Sequence, residues 1–181
     1  MRRTSHKRTF CPIARGMGHV GDSWTVLILR EAFYGTTRFD DFQKRLGIAP
    51  NMLAQRLHRL VHDGMLARRQ YNNHPPRSEY ILTDLGREFR PVLLMLIAWG
   101  NQHFSPEGAM VQLVERASGR VVQPLVVDAL TREPITIDDH RLAPGPAASE
   151  ALRIQLERHS EDAHPTELAL TELALSATED L

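Results

Sequence analysis

The sequence predicts a mainly α-helical fold with a β-hairpin wing, the winged helix-turn-helix, followed by a small β-rich C-terminal appendage and an acidic tail. Three observations carry this. Two short stretches with helical apolar spacing, "RFDDFQKRLG" and "APNMLAQRLHRLVHDG", are joined by a minimal glycine-led turn. Two strand-like runs, "MLARRQY" and "RSEYILT", flank the turn-rich "NNHPP". A final helical run, "DLGREFRPVLLMLIAWGNQHF", is apolar on more than one face and wants burial, as against another copy of the chain.

The elements follow in order. Residues 11–20, "CPIARGMGHV", read as a short helix with Pro12 in its first turn, where a missing N–H costs nothing. Gly16, Gly18 and Gly21 spell G-x-G-x-x-G, the spacing of a dinucleotide-binding loop. Such a loop must follow a buried strand, and the basic, polar "MRRTSHKRTFCPIAR" before it is no strand. Instead, Gly21 turns the chain between two helices. The second helix, in "GDSWTVLILREAFYG", is capped by Asp22 or Ser23, spaces Trp24, Leu27, Ile28 and Ala32 helically, and stops at Gly35. Gly47 closes the third. The fourth opens on Pro50, buries Leu53, Leu57 and Leu60, and ends at Gly64; Ala49 is a poor N-cap, so Pro50 and packing set its start. Thr83 or Asp84 caps the long last helix.

"SPEG" after Phe104 marks a boundary. We therefore expect a winged-helix domain over residues 1–104, a β-rich appendage over 105–149 with turns at Ser118-Gly119 and Thr131–Pro134, and an acidic, partly helical tail over 150–181. No internal repeat is present.

The formal charge of zero conceals a division. Residues 1–100 hold 16 Lys and Arg against 8 Asp and Glu, and residues 101–181 hold 6 against 14. A basic half of this kind suits a nucleic-acid partner. One cysteine, Cys11, excludes an intrachain disulfide and favours a reducing, cytoplasmic setting. No apolar run reaches the length of a membrane span, so no membrane partner is expected.

With its leucines turned inward, the fourth helix presents Asn51, Gln55, His58, Arg59 and His62 outward, with Arg56 on the flank. A solvated helix face usually mixes both signs of charge; here the one acid, Asp63, stands at the far end. Amides and guanidinium groups pair with adenine and guanine edges in a major groove. Arg68, Arg69 and Arg77 lie beside the stiff hairpin tip of Asn72, Asn73, His74, Pro75 and Pro76, and arginines on a protrusion fit phosphates or a narrow minor groove.

The pieces "CPIAR", "VGDSWTVLILREAFYGTTRFDDFQKRLGIAPNMLAQRLHRLVHDGMLARR", "PPRSEYILTDLGREFRPVL" and "WG" occur in this order across residues 11–104. Over that half of the chain the sequence resembles the HxlR family of bacterial transcriptional regulators, relatives of the MarR type. The resemblance implies a homodimer that binds double-stranded DNA as a sequence-specific regulator on a pseudo-palindromic operator. It also implies subunits joined through the first helix and the long last one. The expected recognition residues are Pro50, Asn51, Met52, Gln55, Arg56 and Arg59, and the expected wing contacts are Arg68, Arg69, Asn73, His74 and Arg77. Pro12, Ile13, Leu93, Leu96, Ile97 and Trp99 are expected in the dimer interface. Many relatives open the recognition helix with Ser or Thr, where this chain has Ala49.

Competing chemistry is thin. His58 and His62 have a zinc-compatible spacing, but no catalytic glutamate lies between them and no further Cys or His stands near. Longer relatives sometimes carry cysteine pairs in the appendage; their absence here leaves no metal expected, and no cofactor or enzymatic activity is expected either. Cys11 precedes Pro12 at a helix start, near Arg15 and downstream of His6, Lys7 and Arg8. Helix N-termini and neighbouring cations favour a reactive thiolate. Cys11 is thus a candidate sensor of oxidants or electrophiles, as in some members of the family, or else a small interface residue. A small-molecule effector is the other candidate signal. The alternative function is a protein-interaction module working through the C-terminal appendage.

Overall fold

The computed structural model describes residues 11–74 and 76–161. The expectations placed on His6, Lys7, Arg8, Pro75 and the tail from residue 162 onward lie outside the described residues. Helix α1 (Pro12–Val20) starts on Cys11, whose Sγ accepts a hydrogen bond from the Ala14 N–H at 3.5 Å. Gly16 and Gly18 lie inside this helix, and only Gly21 lies in the turn that ends it. Its backbone angles are ordinary, but a Cβ there would collide with the Met17 carbonyl, so the sharp turn requires glycine.

Asp22 caps α2 (Ser23–Phe33), accepting from the Thr25 N–H at 3.1 Å and the Thr25 hydroxyl at 2.6 Å. That second bond satisfies the hydroxyl and lets Thr25 sit in the core beside Ile28 and Leu29. The buried stripe is accordingly displaced from the one the sequence suggests: Leu27 is only half-buried, while Leu29 is fully buried. Helix α3 (Phe39–Leu46) ends on Gly47, which is left-handed at φ 62°. Three residues later α4 (Pro50–His62) begins with no side-chain cap on Ala49. Leu53, Leu57 and Leu60 pack inward against Phe42, Ile48 and Ile28, which completes the helix-turn-helix.

Strands β1 (Leu66–Asn73) and β2 (Pro76–Leu82) form the wing, antiparallel, with Leu66 opposite Leu82 and Arg69 opposite Glu79. The strands run further toward the tip than expected, because Asn72 pairs with Arg77 and Asn73 with Pro76. A register shift between Gln70 and Asn72 leaves Tyr71 as the extra residue. The base of the wing is tied to the loop before α3 by an Arg38–Glu79 bridge and a Tyr80 N–H bond to the Thr37 carbonyl at 2.7 Å.

The long last helix of the sequence reading is two helices, α5 (Asp84–Glu88) and α6 (Arg90–Phe104). Pro91 explains the break: it has no N–H to continue the ladder, and its ring would clash with the carbonyl four residues back. It is tolerated in the first turn of a new helix. Thr83 caps α5 through its hydroxyl, which accepts from the Gly86 N–H at 3.0 Å. A Cβ on Gly86 would strike the Met65 carbonyl, so this crossing too requires glycine.

Beyond Phe104 regular pairing is sparse. Strands β3 (Leu113–Val114) and β4 (Val121–Val122) pair across a turn with Gly119 at φ 72°. The sequence places a boundary after residue 104; the two compact units of the chain divide between Leu125 and Val126, so β3 and β4 belong with the winged helix. In the second unit, Val127 bridges to Pro134 around a turn in which the Asp128 side chain accepts from the N–H groups of Leu130 and Thr131. That unit also holds α7 (Glu150–Glu161).

Candidate nucleic-acid interface

Helix α4 presents Pro50, Asn51, Met52, Ala54, Gln55, His58 and His62 to solvent, and none of these is acidic. Asp63, the one acid nearby, has a side chain only 3% exposed. It is turned in against His19 (Nδ1 to Oδ2, 2.9 Å), His62 (Nδ1 to Oδ1, 3.2 Å) and Arg59 (Nε to Oδ2, 3.6 Å). A carboxylate at a helix C-terminus opposes the macrodipole, and this ring of potential cations offsets it. The outer face of α4 is therefore amide, imidazole and apolar surface with no negative charge.

Two of the expected recognition residues have partners inside the protein. Arg56 Nε donates to Asp22 Oδ1 at 2.8 Å, with both side chains mostly buried. Arg59 Nη2 donates to the Gly18 carbonyl as well as pairing with Asp63. Both arginines brace α4 against the turn between α1 and α2, whereas Asn51, Met52 and Gln55 project outward. Burial alone would raise the Asp22 carboxyl pKa. The hydrogen bonds from the Thr25 hydroxyl, Arg56 and the Thr25 N–H, with the Arg56 charge, outweigh it and hold the group below its ordinary value. This bracing was not legible in α4 itself, because its partners lie 34 and 41 residues away. The one local clue is Asp63, an acid at the wrong helix end.

On the wing, Arg69 is held by Glu79, with Nε and Nη2 each 2.8 Å from Oε1. Arg68 and Arg77 are exposed and carry no such bond among the described residues. Gln70 donates to Asn73 Oδ1 at 3.0 Å and to the Asn72 carbonyl at 3.1 Å, and Asn72 Oδ1 accepts from the His74 N–H at 3.3 Å. These bonds shape the tip and leave Asn73 and His74 at the surface. Arg38 stacks over Tyr71, 5.0 Å from the ring centroid, and fastens the wing to the start of α3.

The expected interface residues divide. Ile13 on α1 and Leu96 and Trp99 on α6 are exposed at 74%, 46% and 53%. Pro12 is exposed as well and Ile97 is half-buried. Leu93 is buried and joins the hydrophobic core, so on this face of α6 it anchors the helix inward. Among the described residues, no three His, Cys, Asp or Glu side chains cluster to hold a metal, and no helix is long and apolar enough to cross a membrane.

The HxlR-like helix-turn-helix family model matches residues 19–108. An uncharacterized HTH-type transcriptional regulator of Mycobacterium tuberculosis is 36% identical over 143 residues, 78% of this chain and 90% of its own length. The chain belongs to the HxlR family. It is a transcriptional regulator with a helix-turn-helix DNA-binding domain. The crystal structure of PA1607, named as a candidate transcription factor, is similar at 40% identity and a TM-score of 0.69, over 78% of this chain and all of that one. The Pseudomonas aeruginosa protein PA1374, named in the same way, is 45% identical with a TM-score of 0.57, over 81% of this chain and all of its own. An alignment of 143 residues runs past residue 108 wherever it begins, so the mycobacterial relative shares part of the appendage as well as the winged helix.

Proposed function

We propose that this HxlR regulator acts in the cytoplasm as a homodimer on a pseudo-palindromic operator, with α4 of each subunit in a major groove. The observation that carries the reading is the outer face of α4, free of acid because Asp63 is folded inward. Asn51 and Gln55 read base edges, with Pro50 and Met52 packed beside them. Arg68 and Arg77, with Asn73 and His74 at the tip, meet phosphates. Arg56 and Arg59 hold the helix in place, and Arg69 shapes the wing.

Dimerisation is supported by an unpartnered apolar stripe on α6. Val92, Leu96 and Trp99 follow helical spacing and are each about half exposed, and Ile13 and Met17 on α1 are exposed apolar residues too. Residues 1–104 form the DNA-binding and dimerisation part in this reading, and the appendage adds to it. Cys11 is a candidate sensor on α1, where its exposed Sγ caps the helix. The test is selection of binding sites from a random duplex pool with the full chain. Enrichment of two half-sites about 34 Å apart, one duplex turn, is expected. Gln55→Ala then relaxes one or two base positions at a cost of about 1–3 kcal/mol. A pool that shows no enrichment overturns the reading.

A further inference from the structure

We infer that a cavity of about 960 Å³ between the end of α2, one side of α6 and the β3–β4 hairpin binds an amphipathic organic anion, an apolar body bearing one carboxylate or sulfonate. It is a cleft open to solvent on one side, with the volume of a small-ligand site. Phe33, Leu94, Ile97 and Trp99 give it apolar walls. Arg30 and Arg90 are its charged residues, its other polar side chains are amides and the Tyr34 hydroxyl, and no carboxylate lines it. The positive charge at the wall is that of Arg90, since Arg30 is paired with Glu31, and one such charge beside an acid-free apolar lining selects against cationic guests and favours an anion.

A second observation is independent of the shape. Arg30 Nη2 is bound to Glu31 at 2.8 Å, but Arg30 Nε is buried and has no hydrogen-bond partner among the described residues. A buried N–H without an acceptor is costly, and an anionic oxygen entering the cavity would satisfy it. Guanidinium groups suit this role, since their planar fork matches a carboxylate or sulfonate. Val92 and Leu96, on the exposed stripe of α6, are not part of the cavity wall, while Trp99 belongs to both, so the cavity borders the stripe along that residue. A ligand held here joins α6 to the hairpin. Its effect on operator binding rests on the proposed regulatory function, but the binding itself does not.

The experiment titrates the full-length protein, without DNA, with anilinonaphthalene sulfonate and with the uncharged N-phenylnaphthylamine. Saturable fluorescence at one sulfonate per chain is expected. Arg90→Gln and Arg30→Gln should each weaken it about tenfold, which is about 1.4 kcal/mol, and leave the neutral probe unchanged. Arg90 is exposed, so its substitution should leave the fold intact, which covers the case in which loss of the Arg30–Glu31 pair does not. Sulfonate affinity within twofold of wild type in both variants overturns the proposal. So does binding that declines as protein concentration rises, which would make a second copy the occupant. Gln55→Ala should lose operator specificity and keep full sulfonate binding, so failure of the DNA reading is visible separately.

Discussion

Asp22→Asn isolates the charge that ties α4 to the α1–α2 turn. Asn is as good an N-cap as Asp, so the bond from the Thr25 N–H survives. Asp22 Oδ1 serves both Thr25 N and Arg56 Nε, and an amide oxygen at that position can serve both. The amide nitrogen replaces Oδ2 and faces the Thr25 hydroxyl, which can rotate and accept. The charge is lost, and the Thr25 hydroxyl proton gives up its acceptor. A hydrogen bond between ionised partners contributes about 1.5–3 kcal/mol and one to a neutral acceptor about 1 kcal/mol. With both side chains under one-fifth exposed, solvent screening is small, and the substitution should cost about 1 kcal/mol in urea unfolding.

The pH dependence has a definite sign. The Asp22 carboxyl lies below its ordinary value in the folded protein, so its stabilising effect is complete above the unfolded carboxylate range. It is lost as pH falls through the lowered folded value. The difference between wild type and Asp22→Asn should therefore persist from neutral pH down to about pH 5 and close below about pH 4. On a selected operator, the slope of log affinity against log salt should not change, because Arg56 stays a brace. An unchanged stability together with a slope steeper by about one unit would refute the reasoning. It would mean that Arg56 leaves Asp22 for a phosphate.

Three further outcomes are expected. Arg77→Ala should weaken all DNA alike and flatten the salt slope by about one unit, whereas Arg69→Ala, already neutralised by Glu79, should change it by less; fluorescence anisotropy across a salt series measures both. Leu96→Glu, placing charge on the exposed stripe of α6, should shift the protein to monomer at micromolar concentration by light scattering without lowering the unfolding free energy of the monomer by more than about 0.5 kcal/mol. Diamide should lower operator affinity in wild type and leave Cys11→Ser unchanged; equal loss in both would remove Cys11 as the sensor.

The features legible in the sequence were those with a local chemical cause. Gly47 and Gly64 end helices because they adopt positive φ, at 62° and 76°, and Asp22 and Thr83 cap because their oxygens reach an N–H three residues on. The inward leucines of α4 follow from a period of 3.6. The break at Pro91 was legible as well, but the strong apolar pattern on both sides obscured it. The outward or inward fate of Arg56, Arg59 and Leu93 was not legible. An arginine on a helix flank looks the same whether its partner is a phosphate or a carboxylate brought up from a distant turn. The cavity is also invisible in one dimension, since its walls come from three segments spread over residues 30–125.

The bracing of α4 bears on how such a regulator converts an event at its interface into a change in DNA affinity. Three contacts leave the end of α1 and its turn for α4: the Gly18 carbonyl to Arg59, His19 to Asp63, and Asp22 to Arg56. They are spread along more than a turn of α4, so together they oppose rotation as well as sliding. Helix α1 has nine residues, about 13 Å of rigid rod at 1.5 Å per residue. A tilt of about 10° at its Cys11 end displaces its far end by about 2 Å, by the same geometry. That exceeds the tolerance of a 2.8 Å hydrogen bond, so α4 must follow or the contacts must break. In the proposed dimer, α1 lies at the seam. The spacing of the two recognition helices is then set by the same residues that the sequence assigns to base reading, and a tenfold change in affinity requires only about 1.4 kcal/mol of preference for one arrangement over the other.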